Sequence, residues 1–445
     1  MKASFFFLLL VLLLGCSRRT TVGSLFSELS LHEQYEKSLR SARLDQTALG
    51  QAWLSAADRS LRDTLTVALP FREVGHFAAE QPRAAAFRYS VRIGQRIEVT
   101  VRTPSQAFFF VNAFEVTNDT TFRAVASADS TLQLSYEVER DGVHTLRLQP
   151  ELLQNLSYEL TIAAGPSIGF PVAGQSSRAV GSFFGAPRDG GARSHQGVDI
   201  FAPRGTPVVA ASDGVVSART SSRLGGKVVW LNTHGTNQYY AHLDSQSVRP
   251  AQRVRAGDTL GWVGNTGNAR FTPPHLHFGV YRFGRGAIDP FPFIDNVALE
   301  PPLAEADTAL LKRPARVSAT AANLREAPTT QSAIVGTYAQ YSLLLLRGTS
   351  GKWFRAELPN GQHGYVHQSL VGSAEEAIDE VKVSEETNLF WILDEAASDE
   401  AALDKVAFLS DTLSGTSVPV LARYDSLLWV EPSPGLRVWM RPSPL

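Results

Sequence analysis

Three short pieces decide the fold of this chain: Ser194-His195-Gln196-Gly197-Val198-Asp199-Ile200, Tyr240-Ala241-His242-Leu243 and Pro274-His275-Leu276-His277-Phe278. They are joined by Val- and Gly-rich segments, such as Thr206-Pro-Val-Val-Ala-Ala-Ser-Asp-Gly-Val-Val216 and Gly257-Asp-Thr-Leu-Gly-Trp-Val-Gly264. Short apolar runs cut by Asp-Gly, Gly-Gly and Asn-Thr-Gly mark strands connected by tight turns. The stretch from Gly181 to Ile294 therefore reads as an antiparallel β domain carrying polar groups on one face.

Strand geometry says which groups can meet. His275 and His277 are two apart and point to one face, while Leu276 and Phe278 point to the other. His195 and Asp199 share parity too, but an unbroken strand would hold their Cα atoms roughly 13 Å apart. Gly197 lies between them and can adopt the φ values of a bend that shortens the gap. Two imidazoles and a carboxylate, with a fourth position left to water, have the composition of an open catalytic zinc site.

Taken together, these pieces resemble the lysostaphin-like (LytM-type) zinc metallopeptidases of bacterial cell walls. The match runs through Ser182-Phe-Phe-Gly185, His195-Gln-Gly-Val-Asp199, Gly205-Thr-Pro-Val, Asp213-Gly-Val-Val, Tyr240-Ala-His-Leu, Val254-Arg-Ala-Gly257-Asp, Gly264-Asn-Thr-Gly267 and His275-Leu-His277-Phe. The resemblance implies that residues 168–298 form the peptidase domain. It implies His195, Asp199 and His277 as zinc ligands, and His242 and His275 as the unliganded catalytic pair. Which of that pair is base is left open. The implied substrate is peptidoglycan, cut at a peptide bond in stem peptides or their cross-links. No His-Glu-x-x-His occurs, so no helix-borne Glu is available as base. The Gly turns with Tyr239, Tyr240 and Trp262 are expected to rim a groove for an extended peptide of small residues. Two rival readings stand beside this one: a non-catalytic scaffold that activates other wall hydrolases, and a surface-anchored binding protein.

Composition narrows the classes. The chain has 445 residues, 44% hydrophobic and 19% charged, with a formal net charge of -1. That is an ordinary globular composition with no electrostatic footprint for nucleic acid. Its length suggests roughly three domains. One Cys excludes an intrachain disulfide. That residue ends Leu13-Leu14-Gly15-Cys16, after a Lys2 start and an apolar run from Phe5 to Leu14 that is shorter than the ~20 residues a membrane span needs. The pattern resembles the lipobox of bacterial lipoproteins. It implies a signal peptide at 1–15, acylation of Cys16, a polar tether at 16–23 and a protein anchored to a membrane through the lipid at Cys16. The expected location is the cell envelope, on the outer membrane facing the periplasm or at the cell surface.

The rest of the chain reads as mainly β. Residues 24–70 carry a helical stripe, Leu49, Trp53, Ala56, Ala57, Leu61 and Leu65, with an earlier helix around Tyr35, Leu39 and Ala42. The stripe either binds a partner or packs on the next domain. Residues 79–165 alternate with period two and predict a β-sandwich of jelly-roll type, serving as a binding module or a spacer shielding the groove. His144 within it is expected on an exposed strand face. Residues 315–372 resemble a bacterial Src-homology-3-like barrel, in which Trp353 and Tyr365 form a ligand-facing patch or simply cover the barrel. Residues 388–445 echo it as a degenerate second copy, and the acidic stretch Glu375–Glu386 reads as a solvated linker or short helix.

Overall fold

The computed structural model describes residues 29–79, 81–104, 108–118, 120–384, 388–390 and 413–442. Cys16 and the segment expected as signal peptide and tether lie outside them. Among the described residues no helix is long and apolar enough to cross a membrane.

Two helices open the described chain. Ser30 and Glu33 form a capping box at the start of Leu31–Ser41, and Thr47 caps Ala48–Leu61. Their buried stripe packs inward: Leu39 and Trp53 close on Phe110. Trp53 Nε1 donates to the Pro150 carbonyl at 2.9 Å, and the His32 ring stacks on Trp53. The stripe is a packing surface for the β-sandwich.

That sandwich has two antiparallel sheets. One runs Ala85–Val91, Gly142–Pro150, Phe109–Asn118, Thr121–Ser127; the other holds Phe71–Phe77, Leu156–Pro166, Gln95–Arg102 and Gln133–Glu137. Three of these strands escape a search for alternation. In Phe71–Phe77 the buried parity includes Glu73 and Gly75, so the apolar signal is broken. Phe109–Asn118 begins with five consecutive buried residues, which erases period two, and in its neighbour Thr121–Ser127 no residue is fully buried. His144 is not exposed. It is 4% accessible, its Nδ1 lies 2.7 Å from the Tyr136 hydroxyl, and it shares parity with the core residues Leu146 and Leu148.

The second sheet does not stop at the sandwich. Phe71–Phe77 pairs antiparallel with Leu343–Ser350 of the small barrel, Val74 opposite Thr349 and Gly75 opposite Gly348. One sheet of eleven strands thus runs from the sandwich into the barrel. At the seam the Glu73 carboxylate, 0% exposed, accepts from the Tyr158 hydroxyl at 2.7 Å and from Arg355. Gly348 is required there: a Cβ would stand 2.4 Å from that carboxylate. Tyr365 is fully buried with the sandwich core, so it faces no ligand; it belongs to the seam.

Between these halves in sequence lies the central domain. Its main sheet orders Arg253–Val254, Gly214–Ser222, Gly226–Asn232, Asn237–Leu243, His275–Arg282, Val198–Phe201 and Val180–Ser182. A three-stranded sheet of Pro207–Val209, Thr259–Trp262 and Ser245–Gln246 accompanies it. Val198, Ile200, Leu231, Tyr240, Leu276 and Phe278 are in its core. The sandwich leans on its far end, where Ile93 joins that core and Arg92 pairs with Asp289 at 2.7 Å.

The last unit is a five-stranded antiparallel sheet. It includes Asp379–Lys382, which pairs with Ser417–Tyr424. The acidic stretch is thus partly strand, because Val381 and Val383 alternate beneath the charges and Val383 is 1% exposed.

Candidate metal centre

Strand register brings the central residues together. Val198–Phe201 lies against His275–Arg282 with Asp199 opposite His277 and Phe201 opposite His275. On the other side Asn237–Leu243 sets Ala241 opposite His277. Leu276 and Phe278 are fully buried, so the two imidazoles look out of the opposite face.

His195 arrives from a short hairpin, Pro187–Arg188 with Arg193–Ser194. Its backbone N–H donates to the Ala186 carbonyl and its carbonyl accepts from Gly185. Gly197, between it and Asp199, makes no left-handed bend, since its φ is not positive. Its value is space: a Cβ would lie 2.5 Å from the Phe278 carbonyl and 2.8 Å from the His277 ring.

His242 is reached differently. Strand alternation from the buried Tyr240 would aim it into the core. Instead its backbone has φ 61°, and the pairing register shifts opposite Lys227 and Val229. This bulge turns the ring to the open face, where its centroid is 5.1 Å from His275 and 5.8 Å from His277. A non-glycine residue in this region costs of order 1–3 kcal/mol, a cost that folds tolerate where geometry serves a site.

Hydrogen bonds assign the tautomers. Nδ1 of His195 lies 2.9 Å from the Phe183 carbonyl, Nδ1 of His242 2.9 Å from that of Thr266, and Nδ1 of His275 2.8 Å from that of Pro273. A carbonyl only accepts, so each Nδ1 carries a proton, and in the neutral ring Nε2 is the atom that keeps the lone pair. Burial, opposed by the bond to Thr266, lowers the His242 pKa to about 4. The ring is neutral at neutral pH.

Three lone-pair atoms converge: His195 Nε2, Asp199 Oδ1 and His277 Nδ1 are each 3.0 Å from the other two. A proton on His277 Nδ1 could serve one of its two contacts; a cation satisfies all three. Tetrahedral ligands at zinc bond lengths sit roughly 3.3 Å apart, so this donor set fits Zn²⁺. His275 stands just outside, its Nε2 3.9 Å from Asp199 Oδ1.

Around this cluster, Tyr239 presents an edge to His277 and the half-exposed Phe201 lies against His275. Tyr240, expected on the rim, is fully buried, with its hydroxyl donating to Gln238 and accepting from the Ala211 N–H. Arg188, which the sequence did not single out, donates from Nη2 to Asp199 Oδ2 at 2.7 Å.

Comparison with known proteins agrees with this geometry. Residues 193–290 match the model of Peptidase family M23, and residues 320–372 that of the bacterial SH3 domain. The chain is similar to the peptidoglycan DD-endopeptidase ShyC of Vibrio cholerae, 41% identical over 21% of this chain and 21% of that protein. It is similar to the L-Ala–D-Glu endopeptidase of Bacillus subtilis, 35% identical over 28% of this chain and 42% of the relative. To lysostaphin of Staphylococcus simulans it is 42% identical, over 23% of this chain and 22% of lysostaphin. The chain spans between 21% and 42% of the length of these curated relatives. It carries an M23 peptidase domain followed by a bacterial SH3 domain.

Proposed function

We propose, from that M23 domain, that this protein is a zinc metalloendopeptidase hydrolysing peptide bonds in peptidoglycan stem peptides or cross-links. The observation that carries the reading is the convergence of His195, Asp199 and His277 with two further imidazoles, His242 and His275, at their edge. His195, Asp199 and His277 would hold the metal. Zinc in such a site supplies Lewis acidity toward a scissile carbonyl and a water.

The protein's own groups do the rest. His242 and His275 each fix Nδ1–H on a backbone carbonyl, so each offers Nε2 as a proton acceptor and, once charged, as a donor to an oxyanion or leaving amine. Tyr239 and Phe201 wall the site and favour an extended peptide of small residues, as found in wall stem peptides. Two of the relatives are named as a peptidoglycan DD-endopeptidase and an L-Ala–D-Glu endopeptidase, which supports peptide hydrolysis as the chemistry.

The reading extends to location. Acylated Cys16 would hold the enzyme in the cell envelope, on the outer membrane facing the periplasm or at the surface, since two or three acyl chains bind essentially permanently at ~0.8 kcal/mol per buried CH₂. The barrel would add wall affinity.

Digestion of purified sacculi, with product analysis, tests the activity. Release of new amino termini that a chelator abolishes and added zinc restores is the expected result. Zinc-loaded protein that binds sacculi without releasing any would favour the scaffold reading instead.

A further inference from the structure

The Asp199 carboxylate has two oxygens with separate employment. Oδ1 faces the three-way cluster, 3.0 Å from His195 Nε2 and from His277 Nδ1. Oδ2 faces away and accepts from Arg188 Nη2 at 2.7 Å. The same Nη2 also donates to Ser182 Oγ at 2.7 Å, and Ser182 is the strand partner of Asp199. Arg188 is therefore fixed at both ends of a short bridge, with its side chain 34% exposed against 11% for Asp199.

Arg188 belongs to the hairpin that also delivers His195. Pro187 pairs with Ser194 and Arg188 with Arg193, and the next backbone bonds tie His195 to Ala186 and Gly185. One small hairpin thus sets two of the three donor groups, one through the main chain and one through a guanidinium. A carboxylate free at both oxygens can rotate and bind a cation through both. A charge-assisted bond on Oδ2 opposes that rotation and leaves one oxygen for the metal.

We propose that Arg188 is a positioning residue that holds Asp199 to single-oxygen coordination and so keeps one position at the metal open to substrate. The inference rests on the zinc reading above and assigns Arg188 no contact with substrate. Groups that orient a ligand in this way typically contribute 10- to 100-fold in metal affinity.

The test uses the full chain with zinc and with cobalt(II). Zinc affinity is read by competition with a chromophoric chelator, and geometry from the visible absorption of the cobalt form. For Arg188→Ala the expected result is zinc affinity weaker by roughly 10- to 100-fold, with a weaker cobalt band as the freed Oδ2 joins the ion. Arg188→Lys, which keeps the charge but not the fork, should recover part of the loss. Wild-type affinity and an unchanged cobalt spectrum in Arg188→Ala overturn the proposal, even if activity falls, because a residue touching only substrate would give that pattern. If Arg188→Ala loses its fold by circular dichroism, Arg188→Gln is decided by the same two readings. Failure of the wild type to take up zinc would instead sink the reading of the site itself.

Discussion

Arg355 lays Nε and Nη2 against the Glu73 carboxylate at 3.0 and 2.9 Å, across 282 positions of sequence and with no solvent on the acid. This pair sits where the sandwich strand meets the barrel strand. Removing one partner of a buried ion pair leaves an uncompensated charge and costs about 3–5 kcal/mol. Glu73→Gln and Arg355→Ala are each expected to lower the urea midpoint accordingly. The double variant Glu73→Gln with Arg355→Ala should cost less than the sum, because no charge remains stranded. Additive losses would show that the pair is not coupled. By the same logic, a protein cut short before Ala315 loses the neighbour of Phe71–Phe77, and its sandwich should be destabilised; weaker retention on sacculi by the same truncated protein would support the proposed wall-binding role of the barrel.

Metal binding and chemistry should separate by residue. Asp199→Ala and His277→Ala remove ligand atoms and should lower zinc content together with activity. His242→Ala and His275→Ala should keep zinc near one per chain while turnover falls by roughly 10²-fold or more. Metal analysis beside a sacculus assay reads both. An empty site in His275→Ala with a full one in His277→Ala would reverse the two roles.

Acid should loosen the N-terminal half. Burial lowers the pKa of both His32 and His144 to about 4, against an ordinary value near 6.5. Between those values the unfolded chain binds more protons than the folded one, so stability rises with pH. The contribution is complete above pH 6.5 and is lost as pH falls toward 4. His363 works the other way: its bond to Asp63 raises it despite burial, and its contribution fades as pH climbs through the folded value. Urea midpoints at pH 7 and pH 5 should differ, and His144→Gln should flatten that difference. An equal slope in the variant would remove His144 from the account.

Anchoring has its own test. Cys16→Ser should abolish incorporation of labelled fatty acid and move the protein to the soluble fraction, because one or no acyl chain holds a membrane only marginally. Membrane retention of the variant through high-salt washing would point to another means of attachment.

Much of the centre was legible in sequence because strands expose their side chains by parity. His275, His277, Leu276 and Phe278 could be sorted by counting alone. His242 could not: counting from Tyr240 sends it into the core, and only the bulge and its φ of 61° bring it out. Arg188 was hidden for another reason, since it acts across a hairpin and carries no periodic signal. At the level of fold, the mainly β architecture was readable, whereas the joining of sandwich to barrel was not. The residues that make the seam, Glu73, Gly75 and Gly348, interrupt the apolar patterns that announce strands. His144 and Tyr240 fail similarly, because their polar atoms are satisfied by Tyr136 and by Gln238 and Ala211 rather than by water.

The eleven-stranded sheet takes in chain from both sides of the peptidase: Leu156–Pro166 just before it and Leu343–Ser350 well after it, with Phe71–Phe77 clasped between them. The peptidase is thus strung as a loop whose two ends are pinned to one rigid plate. A protease cutting near the exposed Leu299 or Leu303 would break the covalent path on one side only. The two fragments would still travel as one particle on a sizing column and part only in denaturant, so the nicked chain keeps its barrel.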